Sequence, residues 1–181
     1  MNILVPLADG FEEVEAITII DVLRRADLAL TTASLTDDKQ VESSHNVMIQ
    51  ADALLKDLQP DDFDAIILPG GGRGTDNLMK DPRIIEMVQS YNAQNKYICA
   101  ICAAPTVLAA AGVLKGLKAT CYPTCAKVLG SSYAESPVIA DNNIITSQGP
   151  GTAMLFSLIL VHHFAGEESA RSVAKAMLSS Y

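Results

Sequence analysis

The chain is poor in basic residues: 13 Lys and Arg stand against 21 Asp and Glu among 181 residues, a formal net charge of −8. No segment gathers lysine and arginine into a cluster, which argues against a nucleic-acid backbone or an anionic membrane as partner. Long apolar runs are missing too. The longest, AMLFSLILV from Ala153 to Val161, stops at His162 and His163. It is too short to cross a bilayer and suits a buried helix. The N-terminus, MNILVPLADG, has no basic stretch and no small-residue cleavage site, so it reads as a first strand and not a secretion signal. A cytoplasmic location is the expectation. In a reducing compartment the four cysteines are thiols, metal ligands or a nucleophile before they are disulfides. Low-complexity tracts and solenoid-spaced repeats are absent, and 49 % of residues are hydrophobic, the composition of one compact domain over residues 1–181.

What is present is alternation. NILVPLA reads as a strand, and EEVEAITIIDVLRRA follows as a helix with an apolar stripe through Val14, Ile17, Ile20 and Leu23. LALTTASL is a second strand ended by the turn-like TDDK, HNVMIQ a weaker strand, and FDAIILP a continuous apolar run suited to a strand covered on both faces. GGGRGTDN reads as a loop, and a helix begins near Asp81-Pro82. KYICAI is another buried strand, APTVLAAAG a helix closed by Gly112, and NNIITSQ a late strand ahead of two helices. The pattern predicts an α/β sandwich around a mostly parallel sheet with helices on both faces. Ligands in such sheets sit beyond the carboxyl ends of the strands, which selects the loops after Leu7, Pro69, Ile101 and Ser147.

Two cysteines, Cys99 and Cys102, lie on one of these strands and its end, and Cys121 and Cys125 follow. The spacing approaches that of a four-cysteine zinc ribbon. Zinc knuckles, however, are tight and glycine-rich, whereas Cys99 lies in an apolar strand and a helix separates the pairs. A dithiol centre fails on reach: strand positions i and i+3 stand about 10 Å apart, and a disulfide needs α-carbons within about 7 Å. A third reading is a nucleophile elbow. Cys102 would occupy a sharp turn between strand and helix, flanked by Ala100, Ala103 and Ala104. There the helix dipole and unpaired N–H groups would lower its pKa. The N–H of Ala103 would point to where an oxyanion forms, and that of Gly71 offers a second donor. An inert buried thiol is the plainer alternative, retained for Cys99, Cys121 and Cys125.

A base for Cys102 is not evident among His45, His162 and His163, so a peptidase triad is unsupported. Acids are better placed, because ADGFEEVEA brings Glu12, Glu13 and Glu15 just past the first strand. They read either as ordinary first-turn acids or, in a closed pocket, as a carboxyl that keeps its proton beside sulfur. The glycines of LPGGGRGTDN do not complete a dinucleotide fingerprint or a P-loop; Gly70 reads as backbone approaching the site closely.

Across nearly the whole chain, FEEVEA, DVLRRA, ILPGGGRG, AICAAPTVLAAAG and ITSQGPGTA stand in an order and spacing that resemble the DJ-one/YajL branch of the ThiJ/PfpI superfamily. The resemblance implies a flavodoxin-like (class I glutamine amidotransferase-like) homodimer without cofactor or metal. It implies Cys102 as the elbow cysteine, Glu15 as its acid, and Gly71 and Ala103 N–H groups as the oxyanion hole. It further implies glyoxalase or deglycase activity on methylglyoxal (a small 2-oxoaldehyde) or its glycated adducts, or an oxidation-switched chaperone. Two positions depart from relatives. Ala103 stands where peptidase-like members carry histidine, and Tyr122 stands where the animal branch carries histidine. Gly70 and Tyr122 are accordingly expected as pocket walls, with no proteolysis.

Overall fold

A computed structural model describes all of residues 1–181. Nine strands form: β1 (Asn2–Leu7), β2 (Ala29–Ser34), β3 (Gln40–Glu42), β4 (Met48–Gln50), β5 (Ala53–Leu54), β6 (Ala65–Leu68), β7 (Tyr97–Ile101), β8 (Val138–Asp141) and β9 (Ile144–Ser147). Seven build one sheet in the order β5-β2-β1-β6-β7-β9-β8, and β3 and β4 pair separately as an antiparallel hairpin. Within the sheet only β8 runs antiparallel to its neighbour. The parallel core β2-β1-β6-β7-β9 has the flavodoxin-like winding that the resemblance implies.

The helices are α1 (Glu13–Arg25), α2 (Gly72–Lys80), α3 (Pro82–Ala93), α4 (Pro105–Ala110), α5 (Ala126–Leu129), α6 (Ala153–Ala165) and α7 (Glu167–Ala176). They cover both faces of the sheet, so successive side chains of a strand enter different cores. In β7, Ile98 and Ala100 join the core beneath α2, α3 and α4, while Cys99 and Ile101 join the core under α1, α6 and α7. In β6, Ile66 and Leu68 take the first side and Ala65 and Ile67 the second.

Local signals act as their chemistry dictates. The Asp81 carboxylate accepts from the Arg83 N–H at 3.0 Å, and Pro82 opens α3. Gly112, with φ +76°, ends the turn after α4, and Val113 N–H returns to Leu108 O at 3.2 Å.

Several expectations are corrected. GGGRGTDN is no loop: α2 begins at Gly72, directly behind Gly71, whose φ of +91° makes the entry turn. The buried face of α1 is Glu15, Ala16, Ile19, Ile20, Val22 and Leu23, leaving Val14 and Ile17 exposed. The 3.6-residue period fits either face, and the phase that seats Ala16, Ile19 and Leu23 on the sheet also carries Glu15 inward. His45 occupies the turn between β3 and β4, and His162 and His163 are exposed in the last turn of α6.

Candidate active site

β7 ends at Ile101 and the chain turns at Cys102 with φ +63°, the left-handed region that a residue with a side chain enters at a cost of about 1–2 kcal/mol. Both sides of its peptide are tied down. Cys102 N–H donates to Ser147 O at 3.0 Å, and Cys102 O accepts from Tyr122 N–H at 2.7 Å. Ala104 N–H then bonds Ile101 O at 3.0 Å, and α4 opens at Pro105. The result is a strand–turn–helix elbow with a half-buried cysteine at its apex. α4 has only six residues, and the N–H groups of Gly71 and Ala103 lie near enough to the sulfur to favour its thiolate, against the larger effect of burial.

Glu15 reaches this sulfur from the first turn of α1, with no exposed surface. Its position follows from a reciprocal clasp. Glu12 N–H donates to Gly70 O at 3.0 Å, and Gly70 N–H donates back to Glu15 Oε2 at 2.8 Å. The other oxygen, Oε1, is buried without a hydrogen-bond partner, and the Glu15 and Cys102 side chains converge on Gly70, where one added Cβ would lie 2.6 Å from both Cys102 Cβ and Glu15 Oε2. Burial pushes Glu15 up to about 7, against the pull of Gly70 N–H and Cys102 and with a further push from the charge of Glu12.

Burial also pushes the Cys102 thiol up to about 12; the Glu15 charge and hydrogen bond add to the rise, while Gly71 and Ala103 oppose it. A thiol simply lowered by a helix terminus, as the sequence suggests, is therefore not found. Thiolate and carboxylate side by side in a dry pocket repel, so the pair holds a proton in common at neutral pH.

The wall opposite is glycine because nothing else fits. A Cβ on Gly70 would lie 2.6 Å from Cβ of Cys102, 2.6 Å from Glu15 Oε2 and 2.9 Å from Ile101 O. On Gly71 it would meet Gly10 O and stand 2.7 Å from Glu12 N. Gly70→Ala should destabilise the fold by about 1–3 kcal/mol through overpacking, lowering the melting temperature by several degrees. Thermal melts check this, and a melting temperature equal to wild type would show that the wall yields.

The remaining candidates separate. Cys99 is buried in β7, and burial raises its thiol far above the ordinary range; Cys121 is buried and raised to about 11, with Cys125 adding to the rise. All four thiols are free, and no three sulfurs come within 4.8 Å of one another as a ribbon would require. The donor atoms that do gather within that distance belong to Glu12, Glu13 and His45, with His45 Nδ1 2.7 Å from Glu13 Oε1. Tyr122 is 44 % exposed and borders a cleft of about 220 Å3 shared with Pro123, Gly149 and Pro150. Sequence reasoning missed the Ser147–Cys102–Tyr122 tether. It consists of backbone groups, which leave no residue signature.

The DJ-1/PfpI family matches residues 1–163. "Protein DJ-1 homolog B" of Arabidopsis thaliana is 42 % identical over 98 % of this chain, which spans 41 % of that longer protein. "Glutathione-independent glyoxalase DJ-1" of Schizosaccharomyces pombe is 34 % identical over 94 % of this chain and 95 % of its own. Among solved structures, oxidized DJ-1 of Toxoplasma gondii superposes with a TM-score of 0.96 at 36 % identity, covering 99 % of both chains. A cysteine elbow on a flavodoxin-like sheet, facing a buried glutamate and matched along nearly its full length, makes this chain a member of the DJ-1/PfpI family.

Proposed function

We propose that the protein is a cofactor-independent glyoxalase acting on small 2-oxoaldehydes such as methylglyoxal, or on their early adducts with amines and thiols. The observation that carries this reading is a fully buried carboxyl, raised to about 7, packed beside the half-buried Cys102 against Gly70. A carboxyl held there moves protons at neutral pH.

The steps balance without metal, glutathione or electron carrier. With the shared proton on Glu15, the Cys102 sulfur adds to the aldehyde carbon, and the proton passes to the aldehyde oxygen. Gly71 and Ala103 N–H groups stabilise the developing charge. The Glu15 carboxylate next takes the C1 proton of the hemithioacetal, forming an enediolate, and returns it to C2, while the proton of the C1 hydroxyl passes to the C2 oxygen. The resulting thioester of Cys102 is hydrolysed to a 2-hydroxy acid, freeing the thiol. One carbon is oxidised and its neighbour reduced, so the net addition is water. Ala103, having no imidazole, gives no support to peptide cleavage.

Methylglyoxal incubated with the protein and no glutathione should yield lactate; absence of lactate at any protein concentration would refute the glyoxalase. A second reading, an oxidation-switched chaperone or stress-response protein, is favoured by the two N–H donors at Cys102 and by the oxidized state of the Toxoplasma neighbour. Oxyanions on sulfur would use the same donors. Selective oxidation at Cys102 without turnover would support it.

We further propose a cytoplasmic homodimer built on α1. Val14 and Ile17 are exposed there, and Val47 and Met48 are exposed beside the turn whose Ser44 N–H bonds Phe11 O at 2.8 Å. Ile17→Glu should shift the protein from dimer to monomer in sedimentation velocity; a monomeric wild type would exclude the dimer.

A further inference from the structure

The chemistry proposed above leaves the cleft beside Tyr122 without a role. Its two sides are tied to the peptide of Cys102, one through Ser147 O and the other through Tyr122 N–H, at 3.0 and 2.7 Å. It therefore keeps a fixed place relative to the nucleophile. Its floor is apolar and uncovered: Tyr122 is 44 % exposed, with Pro123 and Pro150 beside it. Gly149 is backbone-extended at φ 164°, so any residue could stand there without strain. A Cβ at that position would sit 3.3 Å from Cδ2 and 3.8 Å from Cε2 of the Tyr122 ring, and a longer side chain would extend over it. Glycine leaves the ring accessible.

We propose that Tyr122, with the Gly149–Pro150 edge, is a platform for an aromatic group on the substrate, making aryl 2-oxoaldehydes preferred over methylglyoxal. The proposal rests on the glyoxalase reading and assigns its substrate class. The cleft, about 220 Å3, exceeds the roughly 150 Å3 that holds a benzene ring in an apolar cavity. Offset stacking of two rings is worth up to about tenfold in binding. The reaction is unchanged in kind: phenylglyoxal gains one water and becomes mandelate, with the proton moved from C1 to C2 as before.

The test compares kcat/KM for phenylglyoxal and methylglyoxal, read as mandelate and lactate, in wild type, Tyr122→Phe and Tyr122→Ala. Intrinsic differences between the aldehydes cancel when each variant's ratio is divided by that of wild type. The ratio should fall about tenfold in Tyr122→Ala and stay within about twofold in Tyr122→Phe. If the alanine variant does not fold, Tyr122→Leu takes its place with the same expectation. An unchanged ratio in the alanine or leucine variant overturns the platform while leaving the glyoxalase intact. A phenylalanine variant that behaves like alanine also overturns it, by moving the effect to the hydroxyl. No acid from either aldehyde in wild type overturns both readings together.

Discussion

Replacing Cys102 with alanine should abolish lactate formation, and replacing Glu15 with glutamine should reduce it by about 10²- to 10⁴-fold. The two losses differ in origin. Without sulfur no hemithioacetal forms, and nothing else in the pocket can replace it, since Cys99 is fully buried and its thiol strongly raised. With glutamine the sulfur remains and addition can proceed, but no group at that position takes the C1 proton and returns it to C2. Rapid mixing should therefore show Glu15→Gln still binding the aldehyde at sulfur while product lags. A glutamine variant as fast as wild type would move the proton transfer to another residue and remove the basis of the mechanism.

The same substitution should make the protein more stable at alkaline pH. Glu15 has an ordinary value of 4.5 and is raised to about 7 in the fold. Between these values the native state binds more protons than the unfolded chain, so stability falls as pH rises. The contribution is fully present below about 4.5, is lost as pH passes through about 7, and is flat above. Its size follows from the shift, about 3 kcal/mol at pH 8. Glutamine fills the same space with no charge to bury, so Glu15→Gln should gain up to that amount at pH 8 and almost nothing at pH 4.5. Denaturant unfolding of both proteins across this range checks the difference. A difference that does not grow with pH would mean that Glu15 ionises freely and is not the acid described here. The carboxylate thus costs stability where it would serve catalysis.

The sheet was largely legible because both its faces are covered: FDAIILP and KYICAI are continuous apolar runs, and both are central strands. β3 and β8 were not. Each is short and lies outside the parallel core, with its register set by a partner strand and not by its own pattern. GGGRGTDN misled because its glycines suit a loop by propensity, while α2 and its entry turn need Gly71 and Gly74 to pack on Gly10 and Phe11: a Cβ on Gly74 would stand 2.8 Å from Phe11 Cα. At the site, Cys102 stood out because a cysteine between a strand and small residues is chemically pointed. Glu15 did not separate from Glu12 and Glu13 on residue type alone. Helix phase made that choice, and phase depends on what the opposite side of α1 can bury. A carboxyl keeping its proton beside the Cys102 sulfur was legible as one of two readings of these acids. The burial that raises Glu15 and Cys102 together was not, because it is a property of a shared dry volume and belongs to neither residue by itself.

The crowding at Gly70 bears on how such a pocket can change over generations. That side has no spare volume: one added carbon meets Cys102, Glu15 and the strand end at once. The cleft at Tyr122 and Gly149 ends in open space and is attached to Cys102 through backbone atoms that any residue supplies. On the glyoxalase reading, new substrate scope can be explored from that cleft, by changing side chains there while Cys102 and Glu15 stay in place. Diversification of this scaffold would then be directional, with a closed flank that holds Cys102 and Glu15 in place and an open one free to vary.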